Sequence, residues 1–189
     1  MQKDEHNHSE VRQSKAVPGY KPAQPVTRYE AVVILFEMLT HVEASVAQPR
    51  RSKHEALPGR KSNLAPNPSK AKNYADVPGN HWASKSLVGL SMRGVSLVEG
   101  TRFSGEQAVT CNELARWSEG FSAWIEGRPT TAKSVAELVQ TGYLPQTSPL
   151  LKKADKAITA QETTQLLVGM IARSLEKVTT MSPDSRFAK

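Results

Sequence analysis

The residues able to do chemistry fall into one recurring pattern and a few isolated side chains. Thr27 and Glu30, Thr110 and Glu113, and Thr159 and Glu162 each form a Thr-x-x-Glu step. Each step follows a β-branched apolar residue (Val26, Val109 or Ile158). Between Thr27 and Glu30 stands Arg28, whose guanidinium fork suits a carboxylate. A cation in the first turn of a helix opposes the helix dipole, so Arg28 has an electrostatic reason to seek an anion. Trp82 offers a flat apolar platform for a sugar face. The more ordinary reading is a core tryptophan that pins the start of a helix. Trp117 and Trp124 sit at helical spacing and read as core. Arg102 adds charge in a loop. Cys111 is the single cysteine, which excludes an intrachain disulfide framework and a cysteine-cluster zinc site. His6 and His8 lie beside Asp4 and Glu5 in a polar tail, and His41, His54 and His81 have no ligand spacing. No phosphate loop, supported carboxylate pair or nucleophile motif is present. The sequence therefore argues against an enzyme and calls for no cofactor or metal.

The Thr-x-x-Glu steps have a structural meaning of their own. In a capping box the threonine hydroxyl accepts from the amide three residues on, and the glutamate reaches back to the threonine amide. One box occurs by chance, but three boxes, each opening an apolar helical stretch, suggest one unit used three times. Tyr20 and Phe103 each precede their threonine by seven residues. Gly94 and Gly142 each close a short helical stretch, with Leu90 and Leu138 four residues earlier. Thr110 follows Thr27 by 83 residues, and Thr159 follows Thr110 by 49. The excess falls on a proline-rich basic stretch, which leaves a unit of about fifty residues.

The positioning elements are helices. Apolar residues recur at helical spacing in 31–42, 82–92, 114–125, 132–139 and 162–178, and no run alternates long enough to argue a sheet. Residues 48–73 hold four prolines and two large aliphatics, so they read as a linker or extended loop. Residues 1–17 and 179–189 read as polar tails. The chain has 189 residues and a formal charge of +7, and nearly all of that excess lies in 48–73. That stretch lacks the interleaved aromatics of single-strand binders, which argues against nucleic acid. No stretch approaches the ~18 apolar residues of a membrane span. The first twenty residues hold no apolar core of the signal-peptide kind, so no export signal is expected from the chain as written.

These residues resemble the S-layer homology (SLH) family over 18–47 and 74–178. In the second unit, Tyr74-Ala75-Asp76-Val77-Pro78-Gly79-Asn80-His81-Trp82-Ala83 is similar to the family's aromatic-x-Asp-Val opening and its His-Trp-Ala. Met92-Arg93-Gly94-Val95 and Gly100-Thr101-Arg102-Phe103 resemble its helix ending and its Gly-Thr-Phe loop. In the first unit, Tyr20-Lys21-Pro22-Ala23-Gln24-Pro25-Val26-Thr27-Arg28-Tyr29-Glu30 is close to its Phe-Lys-Pro-x-x-Pro-Ile-Thr-Arg-Ala-Glu. The first unit lacks the opening helix, and Cys111 and Ala160 stand where the family has arginine.

The resemblance implies an all-α fold, with pseudo-threefold helical repeats around a central bundle. The repeats are a partial one at 18–47, a second at 74–127 and a degenerate third at 128–178. It also implies a non-enzymatic module that holds anionic cell-envelope polysaccharide in the grooves between repeats. Arg28, Thr27, Glu30, Trp82 and Arg102 are the implied ligand contacts, and the cell envelope is the implied location. The alternative is a structural subunit of a larger assembly, with the basic segment lying along an acidic partner protein.

Overall fold

The computed structural model describes residues 21–47 and 65–180. The tail at 1–17, Tyr20, residues 181–189 and most of the basic stretch lie outside the described residues; the expected polar tail at 179–189 is corrected at its start, where Thr179 and Thr180 continue the last helix. Five helices run in order: α1 (Arg28–Ala47), α2 (Ser84–Met92), α3 (Cys111–Glu126), α4 (Val135–Gln140) and α5 (Ala160–Thr180). Short 3-10 turns occupy Pro68–Lys70 and Pro149–Lys153. The described residues form no named strand and make only isolated bridges, so the fold is all-α. No helix among them is long and apolar enough to cross a membrane.

All three capping boxes form. The amides of Glu30, Glu113 and Glu162 donate to the hydroxyls of Thr27, Thr110 and Thr159 at 3.2, 3.2 and 3.4 Å. The threonine amides donate back to the glutamate carboxylates at 2.8, 3.0 and 3.0 Å. Each box satisfies two amides that a helix start otherwise leaves orphaned.

The three helix starts are tied to one another. Val26 N–H donates to the Ile158 carbonyl (3.0 Å), Ile158 N–H to the Val109 carbonyl (3.0 Å), and Val109 N–H to the Val26 carbonyl (2.9 Å). These bonds close a ring among three buried residues. One residue past each threonine, the amides of Arg28, Cys111 and Ala160 donate to the carbonyls of Gln107, Lys156 and Gln24. The next amides, of Tyr29, Asn112 and Gln161, donate to Gly105, Ala154 and Pro22. The same three donor positions are thus used at each helix start, and the acceptors lie at matching distances before the next start.

Packing follows from that knot. Helix α3 sits at the centre, in contact with α1, α4 and α5. Leu114, Trp117, Phe121 and Ile125 are buried, and so are the polar Ser118, Glu119 and Ser122 on other faces of the helix. A helix buried on all sides is the middle of the core. Helix α1 lays Val32, Leu35, Phe36 and Leu39 into that core, and α5 adds Leu166, Leu167 and Met170. The short helices α2 and α4 end alike. Gly94 and Gly142 take φ of 80° and 77°, a left-handed conformation that favours glycine. The next amides, of Val95 and Tyr143, return to the carbonyls of Leu90 and Leu138.

All five helices differ from their sequence limits by a few residues, α1 and α4 in ways that matter. Helix α1 extends to Ala47, and α4 starts at Val135, because Ser134 caps it by accepting from the Glu137 amide. Residues 65–73 also differ from a free linker. The Asn67 amide donates to the Met92 carbonyl (2.8 Å), and the Lys72 amide to Ser91 (3.0 Å), so this stretch docks on the end of α2.

One polar network lies in the core. The Glu119 carboxylate is fully buried and accepts from Arg128 (2.6 and 3.1 Å), the Thr131 amide (3.0 Å) and the Thr131 hydroxyl (3.0 Å). Arg128 also holds Glu126 and the Tyr143 hydroxyl. This network folds the chain after α3 back onto the helix. Burial alone would push the Glu119 carboxyl up, but the bonds from Arg128 and Thr131 outweigh it and hold it below the usual range. A carboxyl lowered in the folded state adds stability that is present above its unfolded value, near 4.3, and lost as pH falls through the folded value. Thermal melts should therefore drop as pH falls below about 4.3, and Glu119→Gln should flatten part of that drop. Arg128→Ala should cost about 3–5 kcal/mol in denaturant melts, because it leaves a buried carboxylate unpaired.

Candidate functional site

The site lies where the start of α1 meets the loops that precede α2 and α3. Asp76 builds the loop wall. Its carboxylate accepts from the amides of Phe103 and Ser104, both at 2.8 Å, while the Ala75 amide donates to the Thr101 carbonyl. Burial would raise the Asp76 carboxyl, yet these amides and the nearby Arg102 charge hold it low. Ser104 takes a φ of 53°, a strained turn that the Asp76 carboxylate secures. The turn carries Phe103 inward, where it is fully buried, and leaves its carbonyl facing Arg28.

Tyr29 fills the floor. Its amide is fixed to Gly105, and its ring packs against His81 (centroids 4.2 Å), Phe103 (5.5 Å) and the edge of Trp82 (5.8 Å). Burial first, then the charges of Asp76 and Glu106, push the Tyr29 hydroxyl up. Gly105 permits this packing: a Cβ there would lie 2.2 Å from the Tyr29 ring. The Ala83 amide donates to His81 Nδ1 (3.3 Å), which fixes the imidazole beside the turn into α2.

Trp82 is 58% exposed and stands over this aromatic floor. The core reading of Trp82 is therefore corrected. The neighbouring Ala83 is the fully buried residue at this helix start, so the indole is turned outward. Trp117 is buried and donates to the Leu97 carbonyl (2.6 Å), and Trp124 is partly buried and donates to Glu43 (2.8 Å).

Arg28 lies at the same junction but is engaged. Its Nη1 donates to the Phe103 carbonyl (3.0 Å), its Nη2 pairs with Glu113 Oε1, and its Nε is buried with no partner among the described residues. Thr27 and Glu30 use their polar atoms on each other within the cap, and Arg102 is an exposed loop residue. The structure thus packs Trp82 on Tyr29, while the neighbouring Arg28 directs its guanidinium to Phe103 and Glu113, and Thr27 and Glu30 close the cap behind them. Sequence reasoning passed over Tyr29, His81 and Asp76 as parts of the site. The signal was available in the run of ring-bearing residues that flank the cap and the loop.

The other two helix starts carry different side chains at the Arg28 position. Cys111 is buried, and burial pushes its thiol up, which argues against a reactive thiolate. There Glu162 Oε1 pairs instead with Lys153. At the remaining start Ala160 offers no charge, and Glu30 has no cation partner among the described residues. The first junction therefore differs in kind: it alone combines an exposed tryptophan, an aromatic floor and an arginine. An exposed indole on an aromatic floor can stack an apolar face, and a guanidinium can meet a negative charge. No protein-family model, curated protein or solved structure matches this chain.

Gly105→Ala should drive the Tyr29 ring off its seat and cost about 1–3 kcal/mol as overpacking does. Tryptophan fluorescence should report the change, because Trp82 packs edge-on against Tyr29.

Proposed function

We propose that this chain is an SLH-type, non-enzymatic binding module that attaches to anionic envelope polysaccharide through the groove at the α1–α2 junction. The observation that carries this reading is the closed ring of hydrogen bonds among Val26, Val109 and Ile158. Its matched outer bonds are what three copies of one unit around a pseudo-threefold axis would make. That arrangement creates grooves between neighbouring units. The SLH resemblance supplies the ligand class, and the exposed Trp82 supplies a platform for a sugar ring. On this reading the module works at the cell envelope, with Trp82 stacking and Arg28 lending charge from its seat on Glu113.

One observation favours a second reading. The Arg28 guanidinium is already bound to Glu113 and the Phe103 carbonyl. An arginine satisfied inside the fold suits a scaffold, a structural subunit of a larger assembly that keeps the repeat packing and meets a partner protein.

Retention on purified cell-wall sacculi separates the two. The binding module should co-sediment with intact sacculi and be lost when the secondary polymer is stripped. Trp82→Ala should abolish most retention while the melt stays within about 0.5 kcal/mol of wild type, since the indole is a surface group. Arg28→Ala should weaken retention and also lower the melt. Unchanged retention with Trp82→Ala, or equal retention on stripped sacculi, would contradict the binding module and leave the scaffold reading.

A further inference from the structure

A second charged concavity lies away from the groove, between the 3-10 turn at Pro68–Lys70 and the loop 94–98 that follows α2. Its volume is about 180 Å³, and Lys70, Lys72, Tyr74 and Ser91 line it together with that loop. No acidic side chain among the described residues lines it. Lys70 is exposed, but its ammonium reaches over Gly94, 3.4 Å from where a side chain at that position would begin. The left-handed turn at Gly94 keeps that space open (φ 80°). Lys72 is held in place from two sides. Its ammonium donates to the Val98 carbonyl (2.6 Å) and lies 5.0 Å from the centre of the Tyr74 ring. An ammonium carries three donors, so Lys72 keeps two for a ligand. Arg116 stands behind the wall, its Nη2 on the Leu97 carbonyl (2.6 Å) and its Nε buried without a partner among the described residues. The amides of Ser96, Leu97 and Val98 have no acceptor among the described residues.

We propose that this cleft binds a phosphoryl group. Two ammonium groups in its lining, a third cation behind it and no lining carboxylate among the described residues favour an anion there. Lysine serves phosphate as a point charge, whereas planar carboxylates are better matched by an arginine fork, which the lining lacks. Lys72 is pre-positioned, so a ligand need order only Lys70, which limits the entropic cost of binding. The site also gives a role to the docking of residues 65–73 on α2, since that docking brings both lysines to the loop. This inference is independent of the groove at Trp82.

The test is a titration of the intact chain with inorganic phosphate at low salt, followed by amide NMR, with chloride at matched ionic strength as control. Saturable shifts confined to Lys70, Lys72 and the loop 94–98 are expected. Lys70→Ala should weaken binding about tenfold, the size expected for one charge-assisted hydrogen bond. Trp82→Ala should leave it unchanged, which separates this site from the groove. A parallel titration with a phosphodiester polymer distinguishes a polymer backbone from a free or terminal phosphate as the source, and saturation by either supports the site. Shifts that do not saturate, that chloride reproduces, or that Lys70→Ala leaves intact would overturn it. The wild-type titration decides the matter even where a lysine variant folds poorly.

Discussion

The ring of backbone hydrogen bonds joining Val26, Val109 and Ile158 is the constraint on which the rest of the structure depends. Each residue gives its amide to one neighbour and its carbonyl to the other, so no bond can be lost without exposing a buried polar group. An unmade bond in such a place costs about 1–3 kcal/mol, more than a made one contributes. The ring therefore acts as a joint requirement. It brings segments far apart in sequence to one point, and each segment then turns directly into a capped helix. The long helices α1, α3 and α5 leave this point, and the core forms where their apolar faces meet.

Charge is arranged to protect the same point. The glutamate of each capping box sits at a helix start, where a negative charge is favoured. Arg28 then ties the α1 start to the α3 box through Glu113, while Lys153 serves Glu162. The three junctions thus differ in side chain while sharing one backbone hydrogen-bond plan. This separation explains how one junction can carry the exposed tryptophan: the backbone ring holds the frame, and side chains at each junction are free to differ. The Glu119–Arg128 network does for the chain after α3 what the ring does for the helix starts.

Much of this plan was legible in the residues, and the reason is local. Capping boxes and left-handed glycines depend on side chains a few positions apart, so the three Thr-x-x-Glu steps and Gly94 and Gly142 could be read directly. What escaped reading depends on distant partners. Glu119 looks like an ordinary surface glutamate on α3 until Arg128 and Thr131 fold back on it. Trp82 looks like a core residue because its size favours burial, but Ala83 takes the buried position beside it. Arg28 was legible as a residue that needs an anion; that the anion is Glu113, 85 positions away, was not. The docking of 65–73 was hidden for a similar reason: its composition lacks large apolar residues, and polar bonds to Met92 and Ser91 hold it instead.

Native-state hydrogen exchange at the amides of Val26, Val109 and Ile158 tests the central claim most directly. If the ring is one cooperative knot, the three amides should exchange with the same opening free energy, close to that of global unfolding. Amides that exchange at separate rates, with any one opening as easily as a surface loop, would contradict it.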